Sequence, residues 1–191
     1  MAVRLIISDF DGTLVDTFEA NFRAYREAFG SVGLELSRER YRECFGYRFD
    51  RFMDAMGIDD HDTRQAIRWF KGDCYPRYFD HLRVNHDLLG FIRAFHRSGG
   101  KTAIASTARR RNLVNALSHI KAIDDFDLIL EGEYVTCGKP DPEIYLTVID
   151  RLGVDPGDAI IFEDSEVGFK AAMAAGINHI TINNDFFGNG N

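Results

Sequence analysis

The chain has 191 residues, of which 45% are hydrophobic and 28% charged, the balance of a globular protein with room for a sizeable core. Its net charge of −7 argues against a non-specific nucleic-acid binder, which leans on surplus Lys and Arg. A small anionic ligand stays open, since a local cluster or a metal can override the global sign.

The first apolar run, Val3–Ser8, predicts a buried strand. Its apolar part, Leu5-Ile6-Ile7, is too short for a signal peptide, and no stretch nears the roughly 20 apolar residues of a membrane span. Cys44, Cys74 and Cys137 lack a C-x-x-C spacing, which disfavours a disulfide framework or a zinc site and fits a reducing cytoplasm. The strand ends in "SDFDGTLVDT", residues 8–17, where Asp9 and Asp11 stand two apart.

No second strand follows directly. Residues 17–82 carry helical patterns instead: Phe22, Tyr25 and Phe29, then Tyr41 and Phe45, then Ile67 and Phe70. Aromatics are dense here, which predicts the core of an inserted helical domain. Asp60 and Asp62 fall at a helix start, where the dipole favours acids.

Strand–helix alternation then resumes. Leu89, Ile92 and Phe95 predict a helix stopped by Gly99-Gly100, and Thr102–Ser106 a strand with Arg109-Arg110-Arg111 just beyond it. Asp127–Leu130 predicts the third strand; its D-F-D, Asp125-Phe126-Asp127, precedes the strand and so faces the opposite edge of a parallel sheet. Asp141-Pro142 opens a helix with the apolar stripe Ile144, Tyr145, Val148 and Leu152, ended by Gly153. Ala159–Phe162 is a strand running into Glu163-Asp164-Ser165, where Asp164 or Ser165 caps a helix that stops at Gly176. His179–Ile182 is the last strand, and the tail "NNDFFGNGN" is expected to be loosely ordered. The fold class is α/β: a Rossmann-like parallel sheet with helices on both faces, formed by residues 1–16 and 83–191, plus an inserted α-helical cap domain at 17–82.

In open α/β sheets ligands bind outside the carboxyl ends of the strands. Asp9, Asp11, Gly12 and Thr13 follow the first strand, Ser106, Thr107 and Arg109 the second, and Glu163 and Asp164 the fourth, while Lys139 lies just before a helix start. Taken singly, "DG" can be a hairpin turn, Asp164 a helix cap, Ser106 a strand-end hydroxyl and Lys139 a solvated side chain. A calcium loop fits poorly, because D-F-D-G lacks the third acidic position before the glycine. The convergence favours phosphoryl transfer, in which a carboxylate nucleophile meets an anionic ester and a divalent cation and a lysine offset the repulsion. Asp9 and Asp164 can offer oxygens to Mg2+. Along an extended chain Asp9 and Asp11 point the same way, so one can attack phosphorus while the other moves the proton. Thr13 and the backbone at Gly12 can hold Asp11 and donate to the phosphate.

The stretches "DFDGTLVDT", "IAST", "GKPDPEIY" and "IIFEDSEVGFKAAMAAG" resemble, in order, motifs I to IV of the haloacid dehalogenase superfamily, subfamily I, which includes phosphoglycolate phosphatases and β-phosphoglucomutases. The resemblance implies Asp9 as nucleophile, Asp11 as general acid and base, and Ser106 and Lys139 as phosphate holders. It implies Mg2+ on Asp9, the Asp11 carbonyl and Asp164, with Glu163 nearby. In the mutases a cap-helix histidine and a cap-loop arginine contact the sugar phosphate; here these positions correspond to Asn21 and to Arg48 or Arg51 in "FGYRFDR". Arg109 falls where mutases face a second anionic group, its alternative being a solvated loop arginine. The expectation is a Mg2+-dependent cytoplasmic phosphatase of a small phosphorylated metabolite, monomeric or homodimeric, without nucleic-acid or membrane partners. A sugar phosphomutase and a non-catalytic phosphate-binding protein are the alternatives.

Overall fold

A computed structural model of the chain describes residues 2–183 and 187, so the polar tail lies, Asn183 and Phe187 apart, outside the described residues. In chain order the elements are β1 (Leu5–Ser8), β2 (Val15–Asp16), α1 (Phe18–Ser31), α2 (Arg38–Cys44), α3 (Phe49–Ala55), α4 (His61–Cys74), β3 (Arg83–Val84) and α5 (His86–Arg97). Then follow β4 (Lys101–Ala105), α6 (Arg110–His119), β5 (Leu128–Leu130), α7 (Glu143–Leu152), β6 (Ala159–Glu163), α8 (Glu166–Ala174) and β7 (Asn178–Thr181). They form two compact units, one from the chain up to Asp16 and from Arg83 onward, the other Thr17–Leu82.

The first unit is built on a five-stranded parallel sheet of order β5-β4-β1-β6-β7. All five strands expected from the sequence form, each within two residues of its expected bounds. β1 is central and buried on both faces, as its unbroken apolar run requires. Leu5 and Ile7 join a core cluster with Ile144, Tyr145 and Val148 of α7 and Ala171 and Ala172 of α8. The opposite face is covered as well, since Phe91 of α5 meets Phe162 of β6 edge to face, with ring centroids 6.0 Å apart.

Local chemistry sets the element ends. Asp141 Oδ1 accepts from the backbone N–H of Glu143 at 2.9 Å, and Gly153 ends α7 with φ +61°. Ser165 rather than Asp164 caps α8, accepting from Gly168 N at 3.1 Å. The second D-F-D is structural: Asp127 accepts from Thr102 N at 2.8 Å, and Asp125 pairs with Arg93 at 2.8 Å. One element was not expected. β2 and β3 make an antiparallel ribbon, Val15 opposite Val84 and Asp16 opposite Arg83, with the Arg83 guanidinium on Asp16 at 2.8 Å.

The second unit is helical. Its core gathers Phe22, Phe29, Tyr41, Phe52, Met53 and Ile67, and the Tyr41 ring meets those of Phe18, Phe22, Tyr25, Phe45 and Phe52. Ser37 caps α2 and Asp60 caps α4, so Asp60 is the helix-start acid its position implied. Lys71 is buried with its ammonium over the Tyr75 ring, 3.8 Å from the centroid.

Candidate active site

Because β1 lies between β4 and β6, the loops leaving all three strands are neighbours at one sheet edge. Asp9 is the residue just past β1, and its N–H donates to Phe162 O at 2.9 Å, which ties it to the end of β6. Its carboxylate is buried, and Oδ1 accepts from Lys139 Nζ at 2.6 Å. The same ammonium donates to Glu163 Oε2 at 2.7 Å. Lys139 is therefore no solvated lysine; its side chain is 3% exposed.

The chain does not stay extended from Asp9 to Asp11. Phe10 is buried and opens a turn, closed by Val15 N to Phe10 O at 2.9 Å and Gly12 N to Val15 O at 2.8 Å. That turn, not the strand pleat, sets the direction of Asp11, whose Oδ2 accepts from Ser106 Oγ at 3.3 Å. Ser106 Oγ in turn accepts from Ala108 N at 3.0 Å, which orients its proton toward Asp11. Thr13 differs from expectation: it is fully buried and donates to Asp164 Oδ1 at 2.7 Å rather than holding Asp11. The reason is Gly12. With φ +93° and a side-chain-free Cα, it lets the turn close onto Asp164; a Cβ there would lie 2.2 Å from Asp164 Oδ2.

Glu163 accepts hydrogen bonds at both carboxylate oxygens. Oε1 accepts from Ser165 Oγ at 2.7 Å and from the N–H groups of Ser165 and Asp164 at 3.2 and 3.3 Å. Oε2 accepts from Lys139 and from the Tyr145 hydroxyl, the latter at 2.6 Å. The carboxylate lies against Gly168 of α8, where a Cβ would stand 1.9 Å from Glu163 Cδ. Neither Tyr145 nor Gly168 was singled out from the sequence. The signal for the first is a phenol in the buried stripe of a helix that starts four residues after Lys139, because a buried tyrosine hydroxyl needs a partner. For the second it is a lone glycine opening an otherwise alanine-rich helix just past two acids.

Burial raises Asp9 well above the ordinary carboxylate range; Lys139 pulls it back only in part, while Glu163, Asp164 and Asp11 push it further up. Burial also disfavours the charge on Lys139, but Asp9, Tyr145 and Glu163 outweigh this and hold it well above the usual lysine value. For Glu163 the burial effect is overcome by Lys139 and by the donors Tyr145 and Ser165, so its value is lowered. The net picture is a buried group of acids with one ammonium among them, short of positive charge. Oxygens of Asp9, Glu163 and Asp164 lie within 4.8 Å of one another, a spacing and donor type that fit a hard divalent cation.

Of the remaining expected residues, Thr107 and Arg109 belong to the sheet unit and Asn21 and Arg48 to the helical one. Thr107 continues the loop after Ser106, and Gly132 packs so close to it that a Cβ would lie 2.4 Å from Thr107 O. Arg109 flanks α6 and is taken by a surface ion pair, Nε to Glu133 Oε1 at 2.9 Å, which accounts for it without a ligand. Asn21 is buried in α1 and Arg48 flanks α3, both in the helical unit, and Arg51 lies over the Tyr47 ring at 3.9 Å.

The profile of the haloacid dehalogenase-like hydrolases matches residues 6–182. The chain belongs to that family. It is 31% identical over 181 residues to the phosphorylated carbohydrates phosphatase of Thermotoga maritima, covering 92% of this chain and 82% of the relative. It is 27% identical over 185 residues to the β-phosphoglucomutase of Bacillus subtilis, covering 92% and 81%. Among solved structures, a CbbY variant from Rhodobacter sphaeroides in complex with xylulose-(1,5)bisphosphate superposes with a TM-score of 0.85 at 26% identity, over 94% of this chain and 85% of that one.

Proposed function

We propose that this enzyme, a phosphatase of the haloacid dehalogenase-like family, hydrolyses a small phosphorylated carbohydrate through a phosphoryl group carried on Asp9. The observation behind the assignment is the Lys139 ammonium, buried and bridging Asp9 and Glu163 at 2.6 and 2.7 Å. It offsets charge beside a carboxylate nucleophile, which is what attack on an anionic ester needs.

Asp9 attacks phosphorus with one carboxylate oxygen, and the ester P–O bond breaks as Asp11 gives its proton to the leaving oxygen. Water then attacks phosphorus, Asp11 takes the water proton, and the P–O bond to Asp9 breaks to release phosphate. Ser106 and Lys139 hold the transferring group, and Ser106 also orients Asp11. Asp9, Asp164 and the Asp11 carbonyl would hold Mg2+, which would supply charge neutralisation for the transferring group. Glu163 supports this set through Lys139, since its own oxygens already accept five donors. The helical segment acts as a cap that chooses the substrate, with Asn21 and Arg48 carrying part of that choice. Its insertion between Asp11 and Ser106 supports this role. No described helix is long and apolar enough to cross a membrane, and three free thiols accord with a cytoplasmic setting.

The test is Asp9→Asn assayed with Mg2+ on p-nitrophenyl phosphate and a panel of sugar phosphates. Turnover should vanish while the far-ultraviolet circular dichroism spectrum is kept; unchanged turnover sinks the assignment. Glucose 1-phosphate with its bisphosphate separates the mutase reading, which requires isomer to form faster than free phosphate.

A further inference from the structure

We propose that Tyr145 is a positioning residue for phosphoryl transfer: its hydroxyl fixes Glu163, and Glu163 together with the Tyr145 ring fixes the Lys139 ammonium on Asp9. This rests on the phosphatase reading for its catalytic consequence, but the lock itself is a matter of geometry.

Tyr145 is fully buried, and its hydroxyl donates to Glu163 Oε2 at 2.6 Å. That oxygen is the one that accepts from Lys139 Nζ. The ammonium also lies over the Tyr145 ring, 5.0 Å from its centroid, so one side chain meets Lys139 twice: directly through its π face and indirectly through Glu163. Glu163 is closed in from the other side as well, by Ser165 on Oε1 and by Gly168, which leaves no space between α8 and the carboxylate. A lysine stem has four rotatable carbons, and its ammonium otherwise swings among carboxylates of equal charge. Here three contacts with fixed partners define one position, beside the oxygen of Asp9.

A phenylalanine keeps the ring but removes the donor, which leaves the Lys139 ammonium as the one hydrogen-bond partner of Glu163 Oε2 and loosens the hold on it. Lys139 then shares its time between orientations, and the loss falls on the transition state, where the ammonium must sit on the transferring oxygens.

The experiment is a double-mutant cycle of Tyr145→Phe and Glu163→Gln, measured in two ways. With Mg2+ and p-nitrophenyl phosphate, Tyr145→Phe should lower kcat about tenfold with KM changed by less than about twofold, the scale of a lost hydrogen bond to a charged group. The double variant should be no slower than Glu163→Gln alone, because the hydroxyl acts through that carboxylate. In EDTA, the two single losses in melting temperature should fall short of adding in the double variant. A wild-type kcat in Tyr145→Phe, a change in KM alone, or penalties that combine independently in either measurement would overturn the inference. A wild type that melts with the expected coupling but hydrolyses no phosphomonoester would refute the phosphatase reading and leave the lock standing.

Discussion

Replacing Gly168 by alanine pits two effects of opposite sign against each other. In a helix interior, glycine to alanine gains roughly 0.5–1 kcal/mol, because the unfolded chain loses less freedom on ordering. At Gly168, however, the new Cβ would stand 1.9, 2.2 and 2.4 Å from the carboxylate atoms of Glu163. That carboxylate cannot simply swing away, since Lys139, Tyr145 and Ser165 hold it at 2.7, 2.6 and 2.7 Å. Displacing it breaks a buried ion pair, and loss of such a partner typically costs about 3–5 kcal/mol. The net is a destabilisation of about 2–4 kcal/mol, or roughly 4–16 °C in melting temperature for a domain of this size. Gly90 in α5 is the control: a Cβ there meets nothing within 4 Å, so Gly90→Ala should stabilise by up to about 1 kcal/mol. Thermal melts of both variants, followed by circular dichroism, decide the matter. If Gly168→Ala melts at or above the wild type, as Gly90→Ala should, the packing of Glu163 against α8 does not constrain the site.

Gly12→Ala should weaken Mg2+ by about 10- to 100-fold, the usual cost of disturbing a ligand's support, because its Cβ displaces Asp164 from Thr13 and the φ of +93° is strained besides; a Mg2+ titration of activity checks it, and an unchanged half-saturation point refutes it. Metal-free stability should depend on Asp9 in a set direction. Its value is raised in the folded state, so its stabilising protonation is complete below the unfolded value of about 4 and is lost as pH rises through the folded value. In EDTA, wild type should therefore lose stability relative to Asp9→Asn as pH climbs from about 4 toward neutrality, and parallel melts across that range would expose a flat difference. Finally, Cys74, pushed by burial to about 11, and buried Cys44 should resist alkylation, so native protein should titrate one fast thiol, Cys137.

The sequence carried the sheet and the heart of the candidate site for one physical reason. Apolar runs such as Leu5-Ile6-Ile7 and Ala159–Phe162 mark buried parallel strands, and residues that close such strands share an edge. Asp9, Ser106 and Glu163 were legible in that way. What escaped depended on contacts distant in sequence and on atoms that hydropathy ignores. Tyr145 reads as one member of an apolar stripe, although its hydroxyl is the part that meets Glu163. Gly168 reads as a weak spot in a helix, although its missing side chain is what the carboxylate occupies. Arg109 reads as a spare cation because nothing periodic announces Glu133, 24 residues further on. The β2–β3 ribbon escaped too: two-residue strands leave no pattern, and their partners are separated by the whole helical unit.

That ribbon bears on how such a chain can diversify. Asp16 and Arg83 sit opposite each other, so the helical segment leaves and rejoins the sheet unit through a gap of about 5 Å. Closure is thus accomplished within the sheet unit, and the entropic cost of lengthening the inserted loop grows only as the logarithm of its length. Any segment with adjoining ends satisfies the same junction. Drift, recombination or an experimenter's graft can exchange what lies between Asp16 and Arg83 while β1, β4 and β6 keep their register, making this doorway the natural splice point of the chain.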